Sequence, residues 1–149
     1  MYQRTIEPIS SIEVIHRKFD MICLVDDDPN SIFLHTFFLN EIGYKGRLKQ
    51  FNYPLSALTE ILELSSQHSI LVLLDLNMPR CTGWEFIDKI DSRWSTIQRK
   101  NVTICVLSSS VHPADLRRAH VNPLVQCYSE KPLVAADMSS FVDRLVATF

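Results

Sequence analysis

Short apolar runs along the chain predict the strands of a sheet. Residues 22–25, 70–75 and 102–107 are almost continuously apolar, whereas a half-buried strand would alternate apolar and polar residues. We therefore expect these three strands to be buried on both faces. Residues 47–51 predict a more exposed strand, and residues 125–128 predict a fifth.

Helical patterns separate these runs. Pro29 suits the first turn of a helix, and its apolar side is predicted to consist of Ile32, Phe33, Phe37 and Leu39. Further helices are predicted over residues 55–64, 84–90, 113–120 and 134–149. Strand and helix thus alternate five times, which predicts a doubly wound α/β fold with helices on both faces. The expected five-stranded parallel sheet has the flavodoxin-like order 2-1-3-4-5.

The first twenty residues stand apart from this alternation. Ser10 and Glu13 have capping-box spacing, and Ile12, Ile15 and Phe19 fall on one helical face, so we expect a short amphipathic helix. We assign residues 1–20 to an N-terminal extension and 21–149 to the main domain. The extension is expected to pack on the domain, to stay disordered or to dock a partner.

Length and charge narrow the classes of function. The chain has 149 residues, which is enough for one domain with a hydrophobic core. We expect no second domain in a chain of this length. Its 15 basic and 17 acidic residues give no reason to expect nucleic acid or an anionic membrane as a partner. No apolar run approaches the ~20 residues of a membrane span, and no signal sequence is evident, so we expect a cytoplasmic protein.

The cysteines and histidines do not predict a metal site. The four cysteines lack CxxC spacing, and the five histidines are scattered singly. We expect the cysteines to be buried free thiols in a reducing compartment.

Polar side chains follow four of the predicted strands. Asp26 and Asp27 end the first, Asp75 the third and Ser108 the fourth, while Lys131 follows the fifth within three residues. In a parallel sheet these ends share one edge, where ligands bind in open α/β folds. Taken alone, Asp75 has another interpretation, since an aspartate after a strand often starts a turn or caps a helix.

The grouping of these residues indicates a particular chemistry. Three neighbouring carboxylates would raise one another's pKa unless a cation lay among them, and Mg²⁺ prefers such oxygen ligands. Lys131 and Ser108 would offer a positive charge and a hydroxyl to the same ligand. We therefore predict a phosphoryl-transfer site with Asp75 as the carboxylate nucleophile.

The motifs around these residues resemble those of response-regulator receiver domains. The resemblance begins near residue 21, continues to the C-terminus and follows the family's order. Its motifs are Val25-Asp26-Asp27-Asp28, Leu74-Asp75-Leu76-Asn77-Met78-Pro79 followed by Gly83, Leu107-Ser108-Ser109 and Tyr128-Ser129-Glu130-Lys131-Pro132.

The resemblance implies a role for each matched residue. Asp75 would be the phosphoacceptor, and Lys131 would pair with a phosphoryl oxygen. Asp27 would bind Mg²⁺ directly, and Asp26 would hold it through water. The backbone carbonyl of Asn77 would be the third protein ligand.

The resemblance also implies a switch. Ser108 and Tyr128 would change position on phosphorylation and reshape the partner-binding face, although the family more often has threonine in place of Ser108. Asn77 and Ser110 occupy positions that tune dephosphorylation, and the peptide bond before Pro132 would be cis.

We therefore expect a single-domain receiver without an output domain. It would accept a phosphoryl group from a histidine kinase or a histidine phosphotransfer protein, then bind a partner or pass the group on. It is not expected to be an enzyme, although it would assist its own phosphoryl transfer and autodephosphorylation.

Three alternatives remain. An unphosphorylated pseudo-receiver would act only as a protein docking module. An aspartyl hydrolase would need a second acid at the position of Asn77. A flavin-binding protein would need a phosphate-binding loop where residues 26–28 are all acidic.

Overall fold

The five predicted strands form one parallel sheet. The computed structural model describes residues 7–109 and 111–149, and its strands, numbered along the chain, have the predicted order 2-1-3-4-5. All neighbouring strands are parallel. The strands are β1 Met21–Val25, β2 Arg47–Phe51, β3 Ile70–Asp75, β4 Val102–Ser108 and β5 Val125–Glu130.

Helices connect the strands and cover both faces of the sheet. Within the described ranges they are α1 Ser11–Lys18, α2 Pro29–Glu41, α3 Pro54–Leu64, α4 Gly83–Arg93, α5 Thr96–Lys100, α6 Pro113–Val121 and α7 Ala135–Val146. None of these helices is long and apolar enough to cross a lipid bilayer.

The short helix α5 was not predicted, because five residues are too few to show an apolar period. Its start is nevertheless encoded in the sequence as a capping box. The Gln98 N–H donates to Ser95 Oγ at 3.2 Å, and the Ser95 N–H donates to Gln98 Oε1 at 2.9 Å.

Strand β3 lies at the centre of the sheet between two hydrophobic cores. All six of its residues are buried, and alternate side chains point to opposite faces. Ile70, Val72 and Leu74 belong to the first core, which includes residues of α3 and α4. Leu71 and Leu73 belong to the second core, which includes residues of α1, α2 and α7.

The predicted apolar side of α2 is partly wrong. Ile32 and Leu39 are buried as expected, but Phe33 and Phe37 are 69% and 49% exposed. At about 100° per residue, these two phenylalanines lie on a stripe turned roughly 100–140° away from Ile32. The buried face is completed instead by His35 and Phe38.

The predicted N-terminal helix is present as α1 and packs on the body of the domain. The Glu13 N–H donates to Ser10 Oγ at 3.3 Å, which is one of the two bonds of the predicted capping box, while the Glu13 carboxylate accepts from Arg17 at 3.0 Å. Ile15 and Phe19 are buried in the second core. The His16 ring stacks on Tyr44 with 5.0 Å between the ring centroids. The division of the chain at residue 20 stays a prediction.

Helix α6 is attached to α4 through Trp84. The indole N–H of Trp84 donates to Asp115 Oδ1 at 2.9 Å. The guanidinium of Arg118 lies 4.6 Å from the centroid of the Trp84 ring and 3.4 Å from Asp88 Oδ2. A cleft of about 750 Å³ is lined by residues of α6 and β5.

Candidate functional site

The predicted acidic residues meet at the carboxyl edge of the sheet. Val25 pairs with Leu74 in the parallel register of β1 and β3, so Asp26 and Asp75 follow at neighbouring positions. Asp26, Asp27 and Asp75 each place a carboxylate oxygen within 4.8 Å of the others. Asp26 and Asp75 are each 4% exposed, and Asp27 is half-buried. The sequence prediction of an acidic cluster is therefore correct in its geometry.

Burial and mutual repulsion make this cluster electrostatically unfavourable. Burial raises the pKa of the Asp75 carboxyl above its ordinary value, and the charge of Asp26 raises it further. Lys131 and the Asn77 N–H, which donates to Asp75 Oδ1 at 3.3 Å, lower the pKa without cancelling these effects. The site therefore favours a bound cation, which would stabilise the ionised form of Asp75.

The ammonium group of Lys131 neutralises part of the negative charge of this acidic cluster. Its Nζ lies 2.8 Å from Asp26 Oδ2 and 3.5 Å from Asp75 Oδ1. Burial by itself lowers the pKa of Lys131, but the hydrogen bond and charge of Asp26, followed by those of Asp75, outweigh it and raise the pKa. Lys131 is therefore held as a cation between the two buried carboxylates.

The ends of β4 and β5 position Lys131. Its backbone N–H donates to the Ser108 carbonyl at 2.7 Å, which joins the turn after β5 to the end of β4. Its Nζ also donates to Ser31 Oγ at 3.4 Å. Ser31 was not singled out from the sequence, because a serine in the first turn of a helix carries no distinctive signal there.

The turn after β1 is fixed by its own hydrogen bonds. The Asn52 side chain donates to the Asp26 carbonyl at 3.1 Å, and the Asp28 N–H donates to Asp26 Oδ1 at 2.9 Å. Asp28 caps α2 by accepting from the Asn30 N–H at 2.9 Å. The third acid of the motif is thus a structural residue, whereas the resemblance assigned it no role.

Gly83 fixes the loop that follows β3. Its N–H donates to the Leu76 carbonyl at 3.0 Å. A Cβ atom at this position would lie 2.7 Å from the Asp75 carbonyl oxygen and 2.9 Å from Leu76 Cα. Because both atoms belong to the backbone, only glycine fits against the segment that carries Asp75.

Ser108 and Tyr128, the predicted switch residues, lie on the same face of the sheet. Tyr128 pairs with Val106, so these two side chains share a face. Ser108 lies two residues after Val106 on the same strand and therefore points to that face as well. Ser108 is buried at the end of β4. Tyr128 packs against the first core and lines the cleft beside α6. Its hydroxyl is buried and makes no hydrogen bond within the described part of the chain.

Three further expectations have different outcomes. Asn77 is exposed, and its carbonyl as a metal ligand stays a prediction. Ser110 lies outside the described residues. The peptide bond before Pro132 is trans, as are the other peptide bonds in residues 7–109 and 111–149, so the expected cis bond is wrong here. The trans isomer is the one that X–Pro bonds intrinsically prefer.

His35 is a buried residue near the site, and no role was predicted for it. It is 5% exposed on the inner face of α2. Burial lowers its pKa, the charge of Asp26 raises it, and that of Lys131 lowers it again. The net effect is a lowered pKa, so His35 is neutral at pH 7. Its spacing of three residues from Ile32 was the available signal for its burial.

The donor set of the cluster fits a hard divalent cation. Its three side-chain ligands are carboxylates, and neither sulfur nor imidazole contributes among them. Mg²⁺ is usually bound by one or two carboxylates together with water and phosphate oxygens. The residues present are therefore suitable for Mg²⁺, and receiver domains generally bind this ion in an acidic pocket.

Fold and site together define a receiver domain of the two-component signalling type. The sequence model of the response regulator receiver domain matches residues 22–142, and the chain belongs to this family. The family prediction is thus confirmed. Receiver domains generally interact with histidine kinases or phosphotransfer proteins.

Particular relatives agree with this assignment. The chain is 29% identical over 128 residues to the probable methanogenesis regulatory protein FilR2 of Methanothrix harundinacea, covering 84% of this chain and 80% of that protein. A two-component response regulator from Cytophaga hutchinsonii is 28% identical with a TM-score of 0.74, covering 88% and 99%. Chemotaxis protein CheY4 of Vibrio cholerae, 19% identical with a TM-score of 0.67 and coverage of 84% and 97%, shares the fold.

Proposed function

We propose that this chain is a phospho-accepting receiver in which Asp75 takes a phosphoryl group from a phosphohistidine. The observation that carries the proposal is the cluster of three carboxylates within 4.8 Å, with the Lys131 ammonium between two of them. A structural turn requires neither three converging acids nor a buried lysine. A site that must hold a cation and a phosphoryl group requires both.

In the proposed reaction, a carboxylate oxygen of Asp75 attacks the phosphorus of the donor. The new O–P bond forms as the P–N bond to the histidine breaks. Asp26, Asp27, Asp75 and the Asn77 carbonyl would hold Mg²⁺, which when bound offsets the negative charge on the phosphoryl oxygens. Lys131 favours the ionised, nucleophilic form of Asp75 and pairs with a phosphoryl oxygen of the product.

The switch would use Ser108 and Tyr128. The Ser108 hydroxyl would bond a phosphoryl oxygen, and the Tyr128 ring would turn inward. The Tyr128 hydroxyl, which has no hydrogen bond to any residue that the structure describes, supports this proposal, because a buried hydroxyl without a hydrogen bond favours a move to a position that provides one. Phosphorylation would thereby shift the population toward a second arrangement of α6, β5 and α7.

The proposed donor is a histidine kinase or a histidine phosphotransfer protein. Phe33 and Phe37 expose aromatic surface on α2, the helix that starts directly after the acidic turn. An apolar surface next to the phosphoacceptor suits a docked protein donor. We propose that the protein is a cytoplasmic signalling receiver rather than an enzyme, and that no nucleic acid or membrane takes part in this step.

The experiment that tests the proposal is the intact mass after incubation with acetyl phosphate, in Mg²⁺ or in EDTA. Wild-type protein should gain one phosphoryl group in Mg²⁺ only, and Asp75→Asn should gain none. Asp28→Asn is the matched control, because asparagine also caps helices and the metal cluster keeps its three acids.

A gain by Asp75→Asn would remove Asp75 from its role. Failure of the folded wild type to gain mass, and to bind beryllofluoride in the presence of Mg²⁺, would favour the docking-module alternative. Circular dichroism of each variant establishes that the fold is intact.

A further inference from the structure

Two of the four cysteines are neighbours across strands β4 and β5. Cys105 and Cys127 are direct partners in the parallel register of these strands. Both side chains pack on the second core, so they point to the same side of the sheet. Cys23 and Cys81 belong instead to the first core.

The spacing of paired strands is compatible with a bond between these thiols. Neighbouring strands lie about 4.8 Å apart. Disulfides join residues whose Cα atoms are about 4.4–6.8 Å apart, with Cβ atoms directed toward the same region. Cys105 and Cys127 meet the Cα condition through their pairing, and their side chains lie on the same side of the sheet.

The two thiols differ in access. Cys105 is fully buried on β4. Cys127 is only half-buried, and its strand β5 is an edge of the sheet, beside the open cleft next to α6. A small oxidant from solvent would therefore reach Cys127 first.

The surroundings of Cys127 favour its thiolate. The neighbouring Cys105 side chain and the positive charge of Arg144 outweigh burial and lower the pKa of Cys127 below its ordinary value. The Arg144 guanidinium is held over β5 by its hydrogen bond to Ser129 Oγ at 3.0 Å. Burial raises the pKa of Cys105 well above its ordinary value, raises that of Cys81 and raises that of Cys23 to about 12. Cys127 is therefore the most reactive of the four thiols.

We infer that Cys105 and Cys127 are a redox modification site, at which a hydroperoxide converts the two free thiols into a cross-strand disulfide. The Cys127 thiolate attacks a peroxide oxygen, the O–O bond breaks, and Cys127 becomes a sulfenic acid. The Cys105 sulfur then attacks the Cys127 sulfur and displaces hydroxide, which leaves as water. In total, two thiols and one hydrogen peroxide give one disulfide and two waters.

The bond would join the two strands that carry the proposed switch residues. Ser108 lies three residues after Cys105 on β4, and Tyr128 directly follows Cys127 on β5. The modification does not depend on phosphorylation. It can therefore be tested whether or not Asp75 is the phosphoacceptor.

Peptide mapping of the full wild-type chain tests the inference. Reduced protein is freed of reductant, treated with equimolar hydrogen peroxide, alkylated in denaturant and digested with trypsin without reductant. The two cysteines fall in separate tryptic peptides, residues 101–117 and 119–144. We expect these peptides to be linked, to separate on addition of dithiothreitol, and to leave Cys23 and Cys81 alkylated.

Matched variants identify the order of the steps. Cys127→Ser should abolish peroxide consumption by the pair, and Cys105→Ala should leave a Cys127 sulfenic acid that dimedone traps. Cys23→Ser is the control and should form the same link as wild type. The wild-type map is decisive even if Cys105→Ala does not fold.

Other products would overturn the inference. They are a Cys127 sulfinic acid without a linked peptide in wild type, a disulfide between Cys127 residues of two copies, and four thiols that all remain reduced. In each case Cys105 would not be the resolving partner.

Discussion

The central strand β3 and the edge strand β5 both deliver residues to the acidic site, yet they are built very differently. All six residues of β3 are buried, and both of its neighbours pair with it in continuous register. Strand β5 pairs only with β4 among the described strands, and their register shifts between residues 104 and 105. One of its six residues is buried, and it lines an open cleft. The rigid strand carries Asp75, where the proposed chemistry requires fixed geometry. The looser strand carries Tyr128, where the proposed switch requires movement.

The largest expected effect is on stability and tests the rigidity of β3. Leu71→Ala removes a buried side chain from the second core and should lower the free energy of unfolding by about 2–5 kcal/mol. Val125→Ala, in the half-buried start of β5, should cost about 1 kcal/mol. Urea denaturation of both variants measures the difference. Equal losses would show that the two strands are equally well packed.

The second prediction concerns the loop that holds the end of β3 in place. Gly83→Ala should destabilise the protein by about 1–3 kcal/mol, because the added methyl group meets backbone atoms of Asp75 and Leu76. Gly46→Ala is the comparison, since the three atoms nearest to its added methyl group, at 2.5–3.0 Å, all belong to the Tyr44 side chain rather than to the backbone. We expect Gly83→Ala to have the lower urea midpoint. A lower urea midpoint for Gly46→Ala would mean that the loop after β3 accommodates a methyl group more readily than the buried Tyr44 ring does.

The third prediction tests the electrostatic cost of placing a carboxylate at the end of β3. The folded state raises the pKa of Asp75, so the folded protein binds its proton more tightly than the unfolded chain does. Stability therefore falls as the pH rises from the unfolded pKa through the folded one. In EDTA at pH 7, Asp75→Asn should be more stable than wild type, because asparagine carries no charge to bury or to repel Asp26.

This advantage of Asp75→Asn should shrink as the pH falls toward the ordinary aspartate pKa, where wild-type Asp75 is protonated. Urea unfolding at pH 7 and pH 4 in EDTA measures the change. A larger stability advantage of Asp75→Asn at pH 4 than at pH 7 would contradict the expected direction of this pH dependence.

The smallest expected effect belongs to β5. Tyr128→Phe removes a buried hydroxyl that lacks a hydrogen bond within residues 7–109 and 111–149, so it should be neutral or stabilise the protein by up to about 1 kcal/mol. Tyr44→Phe is the matched control. It loses the hydrogen bond from the Tyr44 hydroxyl to the Arg47 carbonyl at 2.7 Å and should cost about 1 kcal/mol. Equal costs for the two variants would show that the Tyr128 hydroxyl has a partner in solution.

Much of the fold was predictable because apolar runs and parallel topology are local and regular. The runs at 22–25 and 70–75 fixed two central strands, and parallel pairing then placed Asp26 and Asp75 together. The buried face of α2 was not predictable from hydrophobicity alone. Phe33 is apolar but faces solvent, and His35 is polar but buried, because the packing of the whole helix decides its rotation.

The candidate site was also predictable only in part. The positions of its charged residues followed from where strands end. The contact of Lys131 with Ser31 and the burial of the Tyr128 hydroxyl depend on how distant elements pack. The pairing of Cys105 with Cys127 required the exact register of two strands, including the shift between residues 104 and 105 that no sequence pattern marks.

The attachment of α6 to α4 gives this protein a natural optical reporter. Trp84 is buried, donates its indole N–H to Asp115 on α6 and lies under the Arg118 guanidinium. A displacement of α6 would change both the hydrogen bond and the charge next to the fluorophore. The emission of Trp84, isolated by replacing Trp94 with phenylalanine, would then report the movement of α6 in real time and without an attached label.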